Sequence, residues 1–120
     1  MKIAITSQGP DLSAAVDPRF GRAAFFVVAN TEEDGFEAVD NSINLNAAQG
    51  AGIQAGTKVA ELGIEAVVTG HVGPKAFATL SAAGIAVYTG ASGTVAQAIE
   101  QFKAGKLERQ GAADVEGHWA

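Results

Sequence analysis

Two stretches, GIEAVVTG at residues 63–70 and GIAVYTG at residues 84–90, state one pattern twice: a glycine, an isoleucine, a short β-prone run and a closing Thr-Gly. Each follows a helical segment that stops at the glycine, and each strand feeds a further loop and helix, so the pair reads as two βα units. Gly63, Gly84 and Gly105 recur at equal spacing, each where a helix end calls for a left-handed residue. Helix starts are as legible. Pro74 suits the first position of the second helix, and Thr94 with Gln97 forms a capping box for the third, with Val95, Ala98, Ile99 and Phe102 on its inner face. Ile53, Gly56, Val59, Ala60 and Gly63 stand at helical spacing and predict the first helix.

Lys2 to Thr6 and Ala23 to Asn30 have strand composition, and Asp34-Gly35 is a turn signal before a third strand at Phe36 to Asp40. These three form an antiparallel meander, whereas strands joined through helices must run parallel with right-handed crossovers. The expectation is an α/β domain over residues 1–106, with a mixed five-stranded sheet in the order 3-2-1-4-5 and three helices. Asn41 to Gly52 shows no period and reads as a loop. Residues 107–120 read as a weakly ordered tail unless Trp119 docks on the body.

With 120 residues, 48% of them apolar, the chain is long enough for one continuous core. Zero cysteines exclude disulfides and any thiolate-held zinc or iron-sulfur site built from one chain. A net charge of −5 argues against nucleic acid as a partner. The acids Glu32, Glu33, Asp34, Glu37 and Asp40 fall in one segment, and Asp114 and Glu116 in the tail, which fits solvated turns. No run approaches the roughly 20 apolar residues of a membrane span, and MKIAITSQG turns polar too soon for a signal peptide, so no membrane partner and a cytoplasmic location are expected.

Open sheets of this kind take ligands beyond the carboxyl ends of their parallel strands, where the connections diverge. Ser7, Gln8 and Gly9 leave the first strand there; Gly70, His71, Val72, Gly73 and Pro74 leave the fourth; Gly90 and its neighbours leave the fifth. Two of these loops run into helix N-termini, whose N–H groups and dipoles favour an anion. Arg19 and Arg22 in VDPRFGR, with His71 and Lys75, add cationic or protonatable groups to an otherwise acidic chain. Each has a structural alternative: Asp17 could pair with either arginine, His71 could be a loop residue bonded to a carbonyl or a metal ligand, and Phe20 could stack on a ligand or close the core. His118 has no partner at ligand spacing. Ser7, Ser92 and His71 could meet, but no acid in these loops is placed to orient the histidine, so an enzyme is not expected.

The segments MKIAITSQG, VDPRFGRAAFFVV, GAGIQAG, ELGIEAVVTGHVGP, LSAAGIAVY and GTVAQAIEQFKAGKL, in this order and spacing, resemble the iron-molybdenum-cofactor biosynthesis family, the domain shared by nitrogenase cofactor-processing proteins of the NifX and NifB C-terminal type. The resemblance implies a ribonuclease-H-like three-layer fold without nuclease chemistry. It implies non-covalent binding or carrying of iron-molybdenum cofactor or a related cluster, and for a small cysteine-free member a molybdenum-copper sulfide cluster. The alternative is a metal-free interaction or regulatory module working with a MinD-type P-loop ATPase. One departure stands out: Val72 occupies the place of the cysteine in the TGHCGP motif of many stand-alone members, which removes a thiolate ligand.

Overall fold

The structure, a computed structural model, describes residues 1–33, 35–41 and 51–111. In chain order the elements are β1 (Lys2–Ser7), β2 (Phe25–Asn30), β3 (Phe36–Asp40), α1 (Ala51–Glu61), β4 (Ala66–Val68), α2 (Pro74–Ala82), β5 (Ala86–Thr89), α3 (Val95–Lys103) and β6 (Glu108–Arg109). The sheet order is β3-β2-β1-β4-β5-β6, with β1, β4 and β5 mutually parallel and the outer strands antiparallel to their neighbours. The expected order is present, extended by one strand.

β1 is buried almost throughout because both of its faces are covered. Ala4, Val28, Val67 and Val87 face α1 and α2, packing on Ala55, Val59, Ala76 and Leu80. Ile3, Ile5, Val27 and Val68 face α3, packing on Val95 and Ala98. Fully burying a side chain such as Leu80 is worth about 1.5–3 kcal/mol, so these two clusters hold the three layers together.

Gly63, Gly84 and Gly105 all have positive φ (+74°, +75° and +71°), which ends each helix as the spacing predicts. Gly105 also turns the chain back onto β5. There Leu107 packs beside the α3 cluster and the Gln110 amide donates to Val87 O at 2.9 Å. Of the tail expected from residue 107, the part up to Gln110 is thus placed on the sheet. A two-residue strand is too short to leave a periodic signal, although it covers what would be the exposed polar edge of β5. Residues 112–120, with Asp114, Glu116, His118 and Trp119, and Asp34 of the turn before β3, lie outside the described residues.

The buried stripe of α1 differs from expectation. Ala51, Gly52, Ala55, Gly56 and Val59 are buried, while Ile53 is 43% exposed. Small residues face inward because α1 lies close on α2: a Cβ on Gly56 would stand 2.8 Å from Thr79 Cγ2. Ile53 is one residue, about 100° of helical turn, away from that stripe. Gly56→Ala is therefore expected to lower stability by about 1 kcal/mol in urea unfolding, overpacking outweighing the gain in helix propensity. Thr79→Ser, which removes Cγ2 and keeps the 3.0 Å bond from Thr79 Oγ1 to Lys75 O, should restore most of the loss.

Candidate functional site

The connection from β1 to β2 does not turn back directly. It crosses the carboxyl ends of the parallel strands as a strap. The Gln8 amide donates to Ala15 O and the Asp17 amide to Thr6 O, both at 2.9 Å, which ties the strap to the end of β1. Its first half then meets the β5–α3 loop, with Val16 N–H on Gly93 O at 2.9 Å. Its second half meets the β4–α2 loop, with His71 N–H on Pro18 O at 2.8 Å and Phe20 N–H on His71 O at 3.3 Å. Gly90 N–H bonds Gly70 O at 3.2 Å, so the two loop exits also hold each other.

Only glycine fits at position 70. A Cβ there would lie 2.8 Å from Pro18 Cα and 2.9 Å from Pro18 O, inside any real contact with backbone. The missing side chain lets the strap descend onto the loop, and this brings Arg19 beside His71 in a parallel bridge.

The two helix N-termini at this edge differ. At α3, Thr94 Oγ1 accepts from Gln97 N–H and the Gln97 side chain returns to Thr94 N–H, as the capping box predicts. The strap completes the cap, with Val95 N–H on Ala14 O at 2.9 Å and Ala96 N–H on Leu12 O at 3.0 Å. The four amides from Thr94 to Gln97 are thus all taken. At α2 the N-cap is Gly73, which offers no side-chain cap, and Pro74 has no N–H. The amides of Lys75 and Ala76 have no intrahelical acceptor and point out of the helix start. α1 and α2 both end at the amino edge of the sheet, where Glu65 N–H bonds Lys2 O and Ala86 N–H bonds Glu65 O. They therefore run side by side with their positive ends at the strap edge, each equivalent to roughly half a unit charge.

Of the residues expected to contact a ligand, His71, Pro74 and Lys75 are exposed at this helix start and Arg19 is exposed next to them. Gly70 and Gly73 are buried backbone supports, and Gly90 is an exposed turn with φ +87°. Gln8 is exposed at the far end of the strap, and Arg22 is half-buried where the strap enters β2. Three expectations resolve towards structure. Phe20 is fully buried, its ring 5.5 Å from that of Phe26, so it closes the core. Val72 is fully buried in the α1–α2 cluster, its side chain turned away from solvent. Ser7 is buried, with Oγ donating to Gly9 O at 2.6 Å and accepting from Gly9 N–H at 3.2 Å, so it shapes the turn.

Asp17 is 6% exposed, and its Oδ1 accepts from Arg19 N–H at 3.0 Å in an Asx turn completed by Pro18. Burial pushes its carboxyl above the ordinary value of 3.8, against the lowering effects of the Arg19 amide bond and charge. The capping of α3 by the carbonyls of Leu12 and Ala14 leaves no trace in the sequence, since a backbone acceptor carries no residue signature. A cavity of about 730 Å³ lies along the outer side of α3, but its Ser92, Gln97 and Gln101 are hydrogen-bonded among themselves and to Thr94. Among the described residues no three His, Cys, Asp or Glu side chains come together as a metal site.

This chain belongs to the dinitrogenase iron-molybdenum cofactor family, whose model matches residues 1–105. The chain is similar in particular to the apo form of the orange protein from Desulfovibrio gigas, at 43% identity and a TM-score of 0.91, covering 95% of this chain and 96% of that one. A Thermotoga protein provisionally assigned as NifB is 40% identical with a TM-score of 0.79, over 90% of this chain and 91% of that one. An uncharacterised protein of Methanocaldococcus jannaschii is 31% identical over 112 residues, 91% of each chain. No helix among the described residues is long and apolar enough to cross a membrane.

Because the folded chain holds the Asp17 proton more tightly than the unfolded chain, protonation of this group favours folding. Its contribution is fully present below the unfolded value of 3.8 and is lost as pH rises through the raised folded value. Asp17→Asn keeps the Oδ1 acceptor without the charge. Urea unfolding from about pH 4 to about pH 7 should show this variant gaining stability relative to the parent as pH rises. A difference that does not change with pH would mean that Asp17 titrates as it does in the unfolded chain.

Proposed function

We propose that this chain binds or carries an anionic metal-sulfur cluster, held non-covalently at the open N-terminus of α2 and the adjoining strap. The observation that carries the proposal is the family match over residues 1–105. The donor set is consistent with it. With zero cysteines the chain has no thiolate to offer, so a cluster bound here keeps its own sulfide ligands. What the chain can offer is a preorganised positive field: the Lys75 and Ala76 amides, the ends of α1 and α2, and the side chains of Lys75 and Arg19. His71, exposed at the same edge, is the residue placed to touch a metal directly. Gln8, Arg22, Pro74 and Gly90 form the outer margin, while Ser7, Gly9, Phe20, Gly70, Val72 and Gly73 support it from beneath.

A molybdenum-copper sulfide cluster is the form most compatible with this chemistry. Its metals are saturated by sulfide, and its negative charge seeks N–H donors and cations. Neither the family match nor the similarity to the orange protein supports a MinD-type ATPase partner, which forms no part of the proposal. We read the role as binding or carrying rather than turnover, in line with the family match.

Titration of the protein with tetrathiomolybdate and copper should generate a visible charge-transfer band that stays with the protein through gel filtration. Lys75→Met and His71→Ala should each weaken retention about tenfold, or ~1.4 kcal/mol, without loss of the far-ultraviolet circular dichroism signal. Retention should fall between low and high salt, because an exposed charge is screened over about 8–10 Å at 0.1–0.15 M salt. Retention unaffected by salt but abolished by His71→Ala would replace the field by direct coordination. No retained band would contradict the proposal.

A further inference from the structure

Beneath the strap lies a pair of hydroxyls that the binding edge itself does not use. Thr6 is the penultimate residue of β1 and Thr69 follows β4, side by side in the continued parallel register, and both are fully buried. Thr6 Oγ1 is 2.7 Å from Asp17 O and 2.9 Å from Thr69 Oγ1. A carbonyl oxygen only accepts and a hydroxyl has one proton, so the direction of the chain is fixed. Thr69 donates to Thr6, and Thr6 donates to the Asp17 carbonyl. Thr6 also holds Asp17 through the main chain, its own carbonyl accepting from Asp17 N–H at 2.9 Å. One residue of β1 therefore grips Asp17 by both of its backbone polar groups.

The next links lead straight to the binding edge. The Asp17 carboxylate holds the Arg19 amide, Pro18 O accepts from His71 N–H, and the Pro18 backbone rests on Gly70. Resting on the binding role proposed above, we propose that Thr6 is a positioning residue for the anion site. Its hydroxyl fixes the height of Asp17-Pro18 over Gly70, and so places Arg19 and the His71 loop beside the α2 N-terminus. A buried carbonyl left without its donor is destabilised by more than a hydrogen bond is worth, so removal of the hydroxyl should loosen the strap there first.

The test pairs amide exchange on the cluster-free protein with cluster retention. Thr6→Val keeps the shape and removes the donor, whereas Thr6→Ser keeps the donor. In Thr6→Val, exchange of the His71 and Phe20 amides should accelerate on the order of tenfold beyond any change at Val28 and Glu37 in the β2–β3 pair. Thr6→Ser should stay near the parent. Cluster retention should weaken with Thr6→Val in the parent background and much less in an Arg19→Gln background, since the two changes act through one arrangement. Equal acceleration at all four amides, or the same loss of retention in both backgrounds, would overturn the proposal and leave Thr6 a plain core residue. Should Thr6→Val fail to fold, Thr6→Ala takes its place, with the same criteria. If the parent retains no cluster, the binding role fails, and the exchange comparison still decides whether Thr6 positions the strap.

Discussion

Pro18 rests directly on Gly70, and the geometry of the carboxyl edge follows from that contact. A methyl group at Gly70 would lie 2.8 Å from Pro18 Cα, so the strap reaches the β4–α2 loop only because position 70 has no side chain. The contact allows the two hydrogen bonds between the strap and His71, and these align Arg19 with the start of α2. Thr6 and Asp17 secure the strap from below, and Val16 with Gly93 secures it on the other face of the sheet. A seventeen-residue connection from Gln8 to Ala24 thereby becomes part of the scaffold.

The strap also explains why two similar βα units differ chemically. Both units place a glycine-containing loop before a helix at the same edge, and both helix starts would attract an anion. At α3 the strap carbonyls of Leu12 and Ala14, with the Thr94–Gln97 box, satisfy the donors. At α2 nothing comparable caps the helix among the described residues, and Gly73-Pro74 removes both a capping side chain and a competing N–H. In the proposed binding role, this asymmetry is what would favour an anionic ligand on the α1–α2 side of the sheet. The parallel run of those helices, kept close by Gly56 against Thr79, adds the fields of two helix ends.

Much of this fold is written in local chemistry. The left-handed glycines 63, 84 and 105, Pro74 at a helix start and the Thr94–Gln97 box act within a few residues of themselves, and each does in the structure what its residue type dictates. The strap was not legible, because it is held by backbone bonds to Gly93 and His71 far along the chain, and such bonds leave no mark on side-chain pattern. The inner face of α1 escaped for a related reason. Close helix packing selects Gly52, Ala55 and Gly56, while periodicity of large apolar residues selects the exposed Ile53. Phe20 and Val72 sit in the right loops but point into the core, which sequence position alone does not decide.

The central claim is that an anionic cluster docks at the α2 N-terminus and not at the strap-capped α3 N-terminus. Amide chemical shifts of ¹⁵N-labelled protein, followed through a titration with tetrathiomolybdate and copper, test it directly. The account predicts that the largest changes fall on Arg19, Gly70 to Gly73, Lys75 and Ala76, with Ser92 to Gln97 little affected. Changes centred on Ser92 to Gln97, or no saturable change at either helix start, would contradict it.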